Sequence, residues 1–241
     1  MKLPSKFAAL VYCMVLMALT GAGTALWGQA GGFAYVTNCG AFCGGLGGPS
    51  NVSGYSIDGT TGALVPVTGS PFAAGQAPFS VTVHPTGQFA YVANQATNNV
   101  SAYAIDGTTG ALTPVDGSPF PAGSVPTSVT VDPTGQFAYV ANRNSNNVSA
   151  YTINGTTGAL VPVVGSPFSA GQGPFSVTVD PTGRFAYVAN VDSNNVSAFT
   201  IDGLTGVLTP VDGSPFPAGS IPVSVTTTAG PPLPPATAAR K

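Results

Sequence analysis

Phe89-Ala-Tyr-Val-Ala-Asn94 returns as Phe137 to Asn142 and again as Phe185 to Asn190, each copy 48 residues after the last. A fourth copy, Phe33-Ala-Tyr-Val-Thr-Asn38, lies 56 residues before the first of these, the 8 extra residues being an insertion around Cys39 and Cys43. A fixed period of this length marks a fold assembled from one supersecondary unit. Working outward from Phe89, one unit reads Phe79 to His84, turn Pro85-Thr-Gly87, Phe89 to Asn94, and loop Gln95 to Asn98. It continues with Asn99 to Asp106, turn Gly107 to Gly110, Ala111 to Val115, and loop Asp116 to Gly123. Each run is rich in Val, Ile, Tyr, Phe and Thr and is bounded by Gly, Pro, Asn or Asp, which predicts four short strands and no helix.

The turns carry their own mechanism. Asp132-Pro-Thr-Gly135 and Asp180-Pro-Thr-Gly183 have the acceptor, proline and glycine order of a type I turn. Asp106-Gly-Thr-Thr-Gly110 and its copies place glycine where a hairpin needs positive φ. In the second strand, Phe, Tyr and Ala share one face and Ala, Val and Asn the other, so both faces are expected to be covered. Pro66, Pro114, Pro162 and Pro210 mark the fourth strand as an edge, because proline cannot donate a ladder hydrogen bond. Together these features predict an all-β fold, a β-propeller of four 48-residue four-stranded blades over residues 31–229. The first unit lacks a first strand, and Pro222 to Thr228 supplies one with nothing behind it. The expectation is that this C-terminal strand pairs with the N-terminal blade and closes the ring.

Alternate units are the more similar: Gly62 to Val83 matches Gly158 to Val179 at 19 of 22 positions, but Gly110 to Val131 at 16. The domain reads as a duplicated two-blade unit, and a homodimer completing a larger ring is a second possibility. Residues 1–30 have the order of a signal peptide: Lys2 and Lys6, an apolar run from Phe7 to about Thr20, then Ala22-Gly-Thr-Ala25. The run is short for a bilayer core of roughly 30 Å. Cleavage after Ala25 or Ala30 is expected, with an uncleaved anchor as the alternative; either way the repeats are secreted, periplasmic or at the cell surface. Residues 230–241, with four prolines, read as a disordered tail.

Without its leader the chain keeps four basic residues against eight aspartates, a net of −4, and has no glutamate. Charged residues are 6% of the sequence, against roughly 25% in ordinary soluble domains. No basic face for nucleic acid or anionic lipid follows from this, and no membrane insertion once the leader is removed. Cys39 and Cys43, four apart in a glycine-rich loop, suggest a disulfide in an oxidising compartment rather than a metal site, and no cofactor is implied.

The Tyr-Val-Thr-Asn motif at Tyr35, its Tyr-Val-Ala-Asn copies, and the repeated Thr-Gly-Ala-Leu, Gly-Ser-Pro-Phe and Asp-Pro-Thr-Gly segments resemble the YVTN-repeat and lactonase-like (6-phosphogluconolactonase-type) β-propellers over residues 33 to about 228. The resemblance implies a propeller, in a family that includes seven-bladed enzymes opening or closing sugar and muconate lactones. Those enzymes use His, Glu and Arg around the channel; here only His84, Arg143 and Arg184 could serve, and no catalytic residue carries over. His84 stands where Asp132 and Asp180 stand, which reads as a turn residue. Asp58, Asp106 and Asp202, with Asn154 in the same register, sit in turns too far apart for one cation. The recurring Asn-Val-Ser at Asn51, Asn99, Asn147 and Asn195 points to a structural role at the start of the third strand. The loops between second and third strands diverge most. Binding residues gather on such loops, so Cys39, Cys43, Gln95, Arg143, Asn144, Val191 and Asp192 are the candidate contact residues. The function expected is an exported non-enzymatic propeller, a binding or structural module for a protein or glycan. The alternative is a hydrolase or cyclase acting on a sugar lactone.

Overall fold

The computed structural model describes residues 30–40 and 50–229. The expected signal peptide, Cys43 and the proline-rich tail lie outside the described residues. The described chain is all-β, in repeated antiparallel sheets of the propeller type. The first sheet holds β1 (Ala30–Asn38), β2 (Asn51–Asp58), β3 (Leu64–Pro66) and β4 (Phe72–Ala73). The second holds β5 (Pro78–Val83), β6 (Phe89–Asn94), β7 (Asn99–Ile105), β8 (Leu112–Pro114) and β9 (Phe120–Pro121). The third repeats it as β10 (Pro126–Val131), β11 (Phe137–Asn142), β12 (Asn147–Ile153), β13 (Leu160–Pro162) and β14 (Phe168–Ser169). The fourth comprises β15 (Pro174–Val179), β16 (Phe185–Asn190), β17 (Asn195–Ile201), β18 (Leu208–Pro210) and β19 (Phe216–Pro217).

The turn chemistry is as the sequence predicts. Asp132 Oδ1 accepts the Phe137 N–H at 2.7 Å and Oδ2 accepts that of Thr134 at 3.0 Å, while the Gly135 N–H closes onto the Asp132 carbonyl. In the other hairpin, Asp106 Oδ1 accepts the N–H groups of Thr108 and Thr109, and Gly110 takes φ +73°. The edge expectation needs one refinement: the rim is made of two pieces. β8 pairs with the end of β7 (Tyr103↔Pro114) and β9 with its start (Val100↔Phe120). The Gly-Ser-Pro-Phe segment, read as loop, therefore supplies a second short edge strand. Ser118 Oγ holds it by accepting the Ala102 N–H at 2.9 Å.

The Asn-Val-Ser triplet does have a structural task. Asn94 Nδ2 donates to Asn99 Oδ1 at 2.8 Å and to Ser101 Oγ at 2.9 Å, and Asn142 and Asn190 repeat the arrangement, all three fully buried. These buried Nδ2 donors fix the register of strands two and three at one end of the sheet, while the Oδ1 atoms of Asn94 and Asn190 accept no hydrogen bond.

The core lies between sheets. Phe89, Tyr91 and Val100 of the second sheet pack on Val140, Tyr151 and Ile153 of the third. Phe137, Tyr139 and Val148 of the third meet Val188, Phe199 and Ile201 of the fourth in the same way. Every residue of β6 and β11 is buried, so both faces of these strands are covered. Tyrosine hydroxyls tie the junctions: Tyr35, Tyr91 and Tyr139 donate to the carbonyls of Gly110, Gly158 and Gly206 in the next sheet, at 2.8, 3.0 and 3.1 Å, and Tyr103 and Tyr151 donate to the Ala73 and Pro121 carbonyls of the preceding one. Such a bond contributes about 1 kcal/mol.

The expected ring closure is not formed. Residues 222–229 adopt no strand, and β1 has β2 as its sheet partner. The Val225 N–H reaches Ser176 Oγ at 3.3 Å, as Val129 reaches Ser80 and Val177 reaches Ser128. The segment thus continues the stacking order past β15 instead of returning to β1.

Candidate functional site

The innermost strands of successive sheets, β1, β5, β10 and β15, lie around a cavity of about 420 Å³. Tyr35, Val36 and Thr37 of β1 line it with Phe79 and Ser80 of β5, Thr127 and Ser128 of β10, Phe175 and Ser176 of β15, and Val223. The Ser80, Ser128 and Ser176 hydroxyls each accept an N–H from the next unit and keep an O–H to donate. The Phe79 and Phe175 rings meet edge to face at 5.6 Å between centroids, giving the wall an apolar patch. The lining therefore offers hydroxyl donors beside aromatic surface and carries no charged side chain. A compact polyol with an apolar ring face fits such a wall.

Lining residues from β5, β10 and β15 come from the first half of each strand, next to the face that carries the loops between second and third strands. These loops share that face with the connections between units. The Gln95 N–H donates to the Ala77 carbonyl, that of Arg143 to Val125 and that of Val191 to Gly173, each at 2.9 Å. Of the candidate contact residues, Arg143 and Asp192 are brought together across two sheets, Nη2 to Oδ1 at 3.5 Å, with side chains 44% and 52% exposed. An exposed pair of this kind adds at most about 1 kcal/mol to stability, so both groups are available to a ligand. Asn144 is exposed beside Arg143 and Gln95 is half-buried on the preceding unit. Val191 is buried at 6% and spends its N–H on Gly173, so its side chain is packing, not contact surface. Cys39 is disulfide-bonded at the end of β1, and Cys43 lies outside the described residues.

The other titratable groups belong to the opposite ends of the sheets. His84 is buried; its Nδ1 accepts the Thr86 N–H at 3.2 Å, which puts the ring proton on Nε2, 2.8 Å from the Gly135 carbonyl of the next unit. It thus ties two turns together. Arg184 lies 5.3 Å over the Phe185 ring. Asp58, Asp106 and Asp202 sit below the usual carboxylate range because N–H groups of their own turns, led by Thr61, Thr109 and Leu204, donate to them. For Asp180 burial pushes upward, but hydrogen bonds from Thr182, Phe185 and Arg184 outweigh it and the carboxyl again sits low. Asn154 makes the same two turn bonds at 3.0 Å without a charge. Among the described residues no three His, Cys or Asp side chains converge on a cation position.

The sequence profile of the family described as "Lactonase, 7-bladed beta-propeller" matches residues 20–125 and 55–226. The chain belongs to this lactonase propeller family. No curated protein matches it in sequence. Solved structures share the fold at low identity. A candidate 6-phosphogluconolactonase of Bacteroides fragilis is 24% identical with a TM-score of 0.64, over 72% of this chain and 50% of that one. One of Bacteroides uniformis is 19% identical with a TM-score of 0.63, over 72% and 50%. The periplasmic gluconolactonase of Pseudomonas aeruginosa is 22% identical with a TM-score of 0.58, over 70% and 49%. The chain thus spans about half the length of these solved chains. The family match overturns the expectation of a non-enzymatic binding or structural module and favours the enzymatic alternative. That expectation gave the scarcity of Glu and His more weight than the motifs shared with lactonases.

Proposed function

We propose that this chain is an exported lactonase-type hydrolase acting on an uncharged sugar lactone held in the cavity between the first strands. The family match over residues 20–125 and 55–226 carries the reading, and the lining chemistry narrows it. Ser and Thr hydroxyls address the hydroxyls of an aldonolactone, while Phe79 and Phe175 take its apolar face. The phosphorylated lactone named for two of the neighbours is disfavoured here, because a phosphate ester asks for clustered cations. The loop face offers Arg143, already compensated by Asp192.

Hydrolysis of a lactone needs a water to attack the ester carbonyl carbon, a base to take its proton, and a donor for the carbonyl oxygen as it becomes negative. Arg143 and Asp192 stand on the adjoining loop face and not in the lining, so in this reading the lactone carbonyl sits at the mouth of the cavity toward that face, where Asp192 takes the proton and the Arg143 guanidinium meets the oxyanion. The ring C–O bond then breaks, the ring oxygen receives a proton, and the hydroxy acid leaves. The test is acid release from gluconolactone above its spontaneous rate, with Asp192→Asn lowering kcat about 10²- to 10⁴-fold while His84→Gln leaves kcat near wild type. Lactone opening no faster than in buffer, or an Asp192→Asn enzyme of full activity, refutes the proposal.

A further inference from the structure

The two ends of the stack present the two halves of an interface that the molecule already builds three times. The first sheet shows solvent the face that in later sheets is covered: Val36 is 46% exposed where Val92, Val140 and Val188 are 0%, and Leu64 is 52% exposed where Leu112, Leu160 and Leu208 are 7, 4 and 3%. The fourth sheet shows the opposite face, with Phe216 43% exposed. Tyr187 occupies the position from which Tyr35, Tyr91 and Tyr139 each reach a glycine carbonyl in the next sheet.

The glycine turns give the same result independently. A Cβ built on Gly110, Gly158 or Gly206 would lie 2.3–2.4 Å from the ring of Phe33, Phe89 or Phe137 of the preceding sheet. Gly62, in the same turn at φ +72°, has nothing within 4 Å. Its missing neighbour corresponds to Phe185. Finally, residues 222–227 already lie where the first strand of a fifth unit belongs. Ile221 N–H bonds Asn194 Oδ1 at 2.8 Å as Val125 bonds Asn98, and Thr227 Oγ1 reaches the Val179 carbonyl at 3.5 Å. Among the described residues no second strand pairs with this segment, and no first strand pairs with β1.

We infer that the occupant of both ends is a second copy of this chain. The fourth sheet of one copy stacks on the first sheet of the other, and residues 222–228 of each add to the free edge of β1 in its partner. By the register of Pro126↔Asn142 and Val129↔Val140, Pro222 then pairs with Asn38 and Val225 with Val36. Phe185 covers Gly62, and the Tyr187 hydroxyl donates to the Gly62 carbonyl. Both junctions are the same contact, so a two-fold axis along the channel closes the assembly with two copies and no free edge. The inference shares Tyr35, Val36, Thr37 and Val223 with the cavity of the lactone reading, but its test reads mass and not activity, so either can fail without the other.

Sedimentation equilibrium of the full chain tests it, together with Val36→Asp and Gly62→Ala. Both substitutions sit at positions with open space in one chain, so the circular dichroism spectrum is expected to keep its shape, the positive φ of Gly62 lowering the stability of Gly62→Ala no more than Gly87→Ala lowers it. The wild type is expected to have twice the chain mass, and each variant to lose the dimer. A wild type of single-chain mass, an assembly larger than two, or a dimer that survives either substitution overturns the inference.

Discussion

Gly158→Ala probes the junction between sheets with a matched control. Gly158 and Gly87 share the same backbone conformation, φ +76° and +73°, and a Cβ at φ near +75° costs roughly 1–2 kcal/mol in either place. Their surroundings differ. The added methyl at Gly87 meets nothing within 4 Å, whereas at Gly158 it lands 2.4 Å from Phe89 Cδ1, and Phe89 is 5% exposed with no room to withdraw. Overpacking of this kind adds roughly 1–3 kcal/mol. It also pushes the Gly158 carbonyl from the Tyr91 hydroxyl, a bond of about 1 kcal/mol. Gly158→Ala is therefore expected to lose about 2–5 kcal/mol, and Gly87→Ala about 1–2. In urea, with a slope of about 2 kcal/mol/M, the two midpoints should differ by at least about 0.5 M. Combining Gly158→Ala with Phe89→Leu should cost less than the sum of the two single changes, because the smaller side chain makes room. Equal midpoints for the two alanine variants would refute the claim that the junction is close-packed at this glycine.

His84→Ala, which leaves the Gly135 carbonyl without its donor, is expected to cost roughly 1–3 kcal/mol in the same urea assay. The lowered carboxyls of Asp58, Asp106, Asp180 and Asp202 contribute stability that is fully present above their unfolded value near pH 3.9 and is lost as pH falls through the depressed folded value. The urea midpoint should thus be flat above about pH 5 and decline below about pH 4, with Asp106→Asn declining less while keeping its turn, as Asn154 does. At the other extreme, burial pushes the Tyr35 hydroxyl up to about 12. Its contribution is present below about pH 10 and lost as pH rises toward that value, so phenolate absorbance and loss of structure should appear together in alkali. Ser128 is given only a substrate hydroxyl to hold, so replacing it by Ala should raise KM for gluconolactone about 5- to 10-fold, the loss of one neutral hydrogen bond, whereas a fall in kcat would assign it to the oxyanion.

What the sequence showed plainly was whatever is local to one unit. Strand lengths, both turn types, the proline-marked edge and the face shared by Gln95, Arg143 and Asp192 all follow from residues a few positions apart. Contacts between units were less visible: Tyr91 and Gly158 are 67 residues apart, and nothing in either residue names the other. The second edge strand was hidden because Gly-Ser-Pro-Phe reads as a loop until Ser118 is seen holding the Ala102 N–H. Closure was misjudged for a related reason. Residues 222–228 have the composition of a first strand, but composition does not say which second strand they face. At the site, Arg143 and Asp192 were nominated from loop variation, while Ser80, Ser128, Phe79 and Phe175 were passed over as ordinary strand residues. The signal is the polar alternation of that strand, whose serines hold N–H groups of the next unit and at the same time line the cavity.

Amide hydrogen exchange of the segments 33–38 and 222–228, followed over a dilution series, tests most directly the claim that the sheets form an open stack completed by a partner. The account predicts, in dilute protein, fast exchange of residues 222–228 other than Val225 and of those N–H groups of 33–38 that point away from β2, with joint protection of these groups as concentration rises, while the β6 and β11 segments stay protected throughout. Protection of these groups that is independent of concentration would mean that one chain closes on itself, and would contradict it.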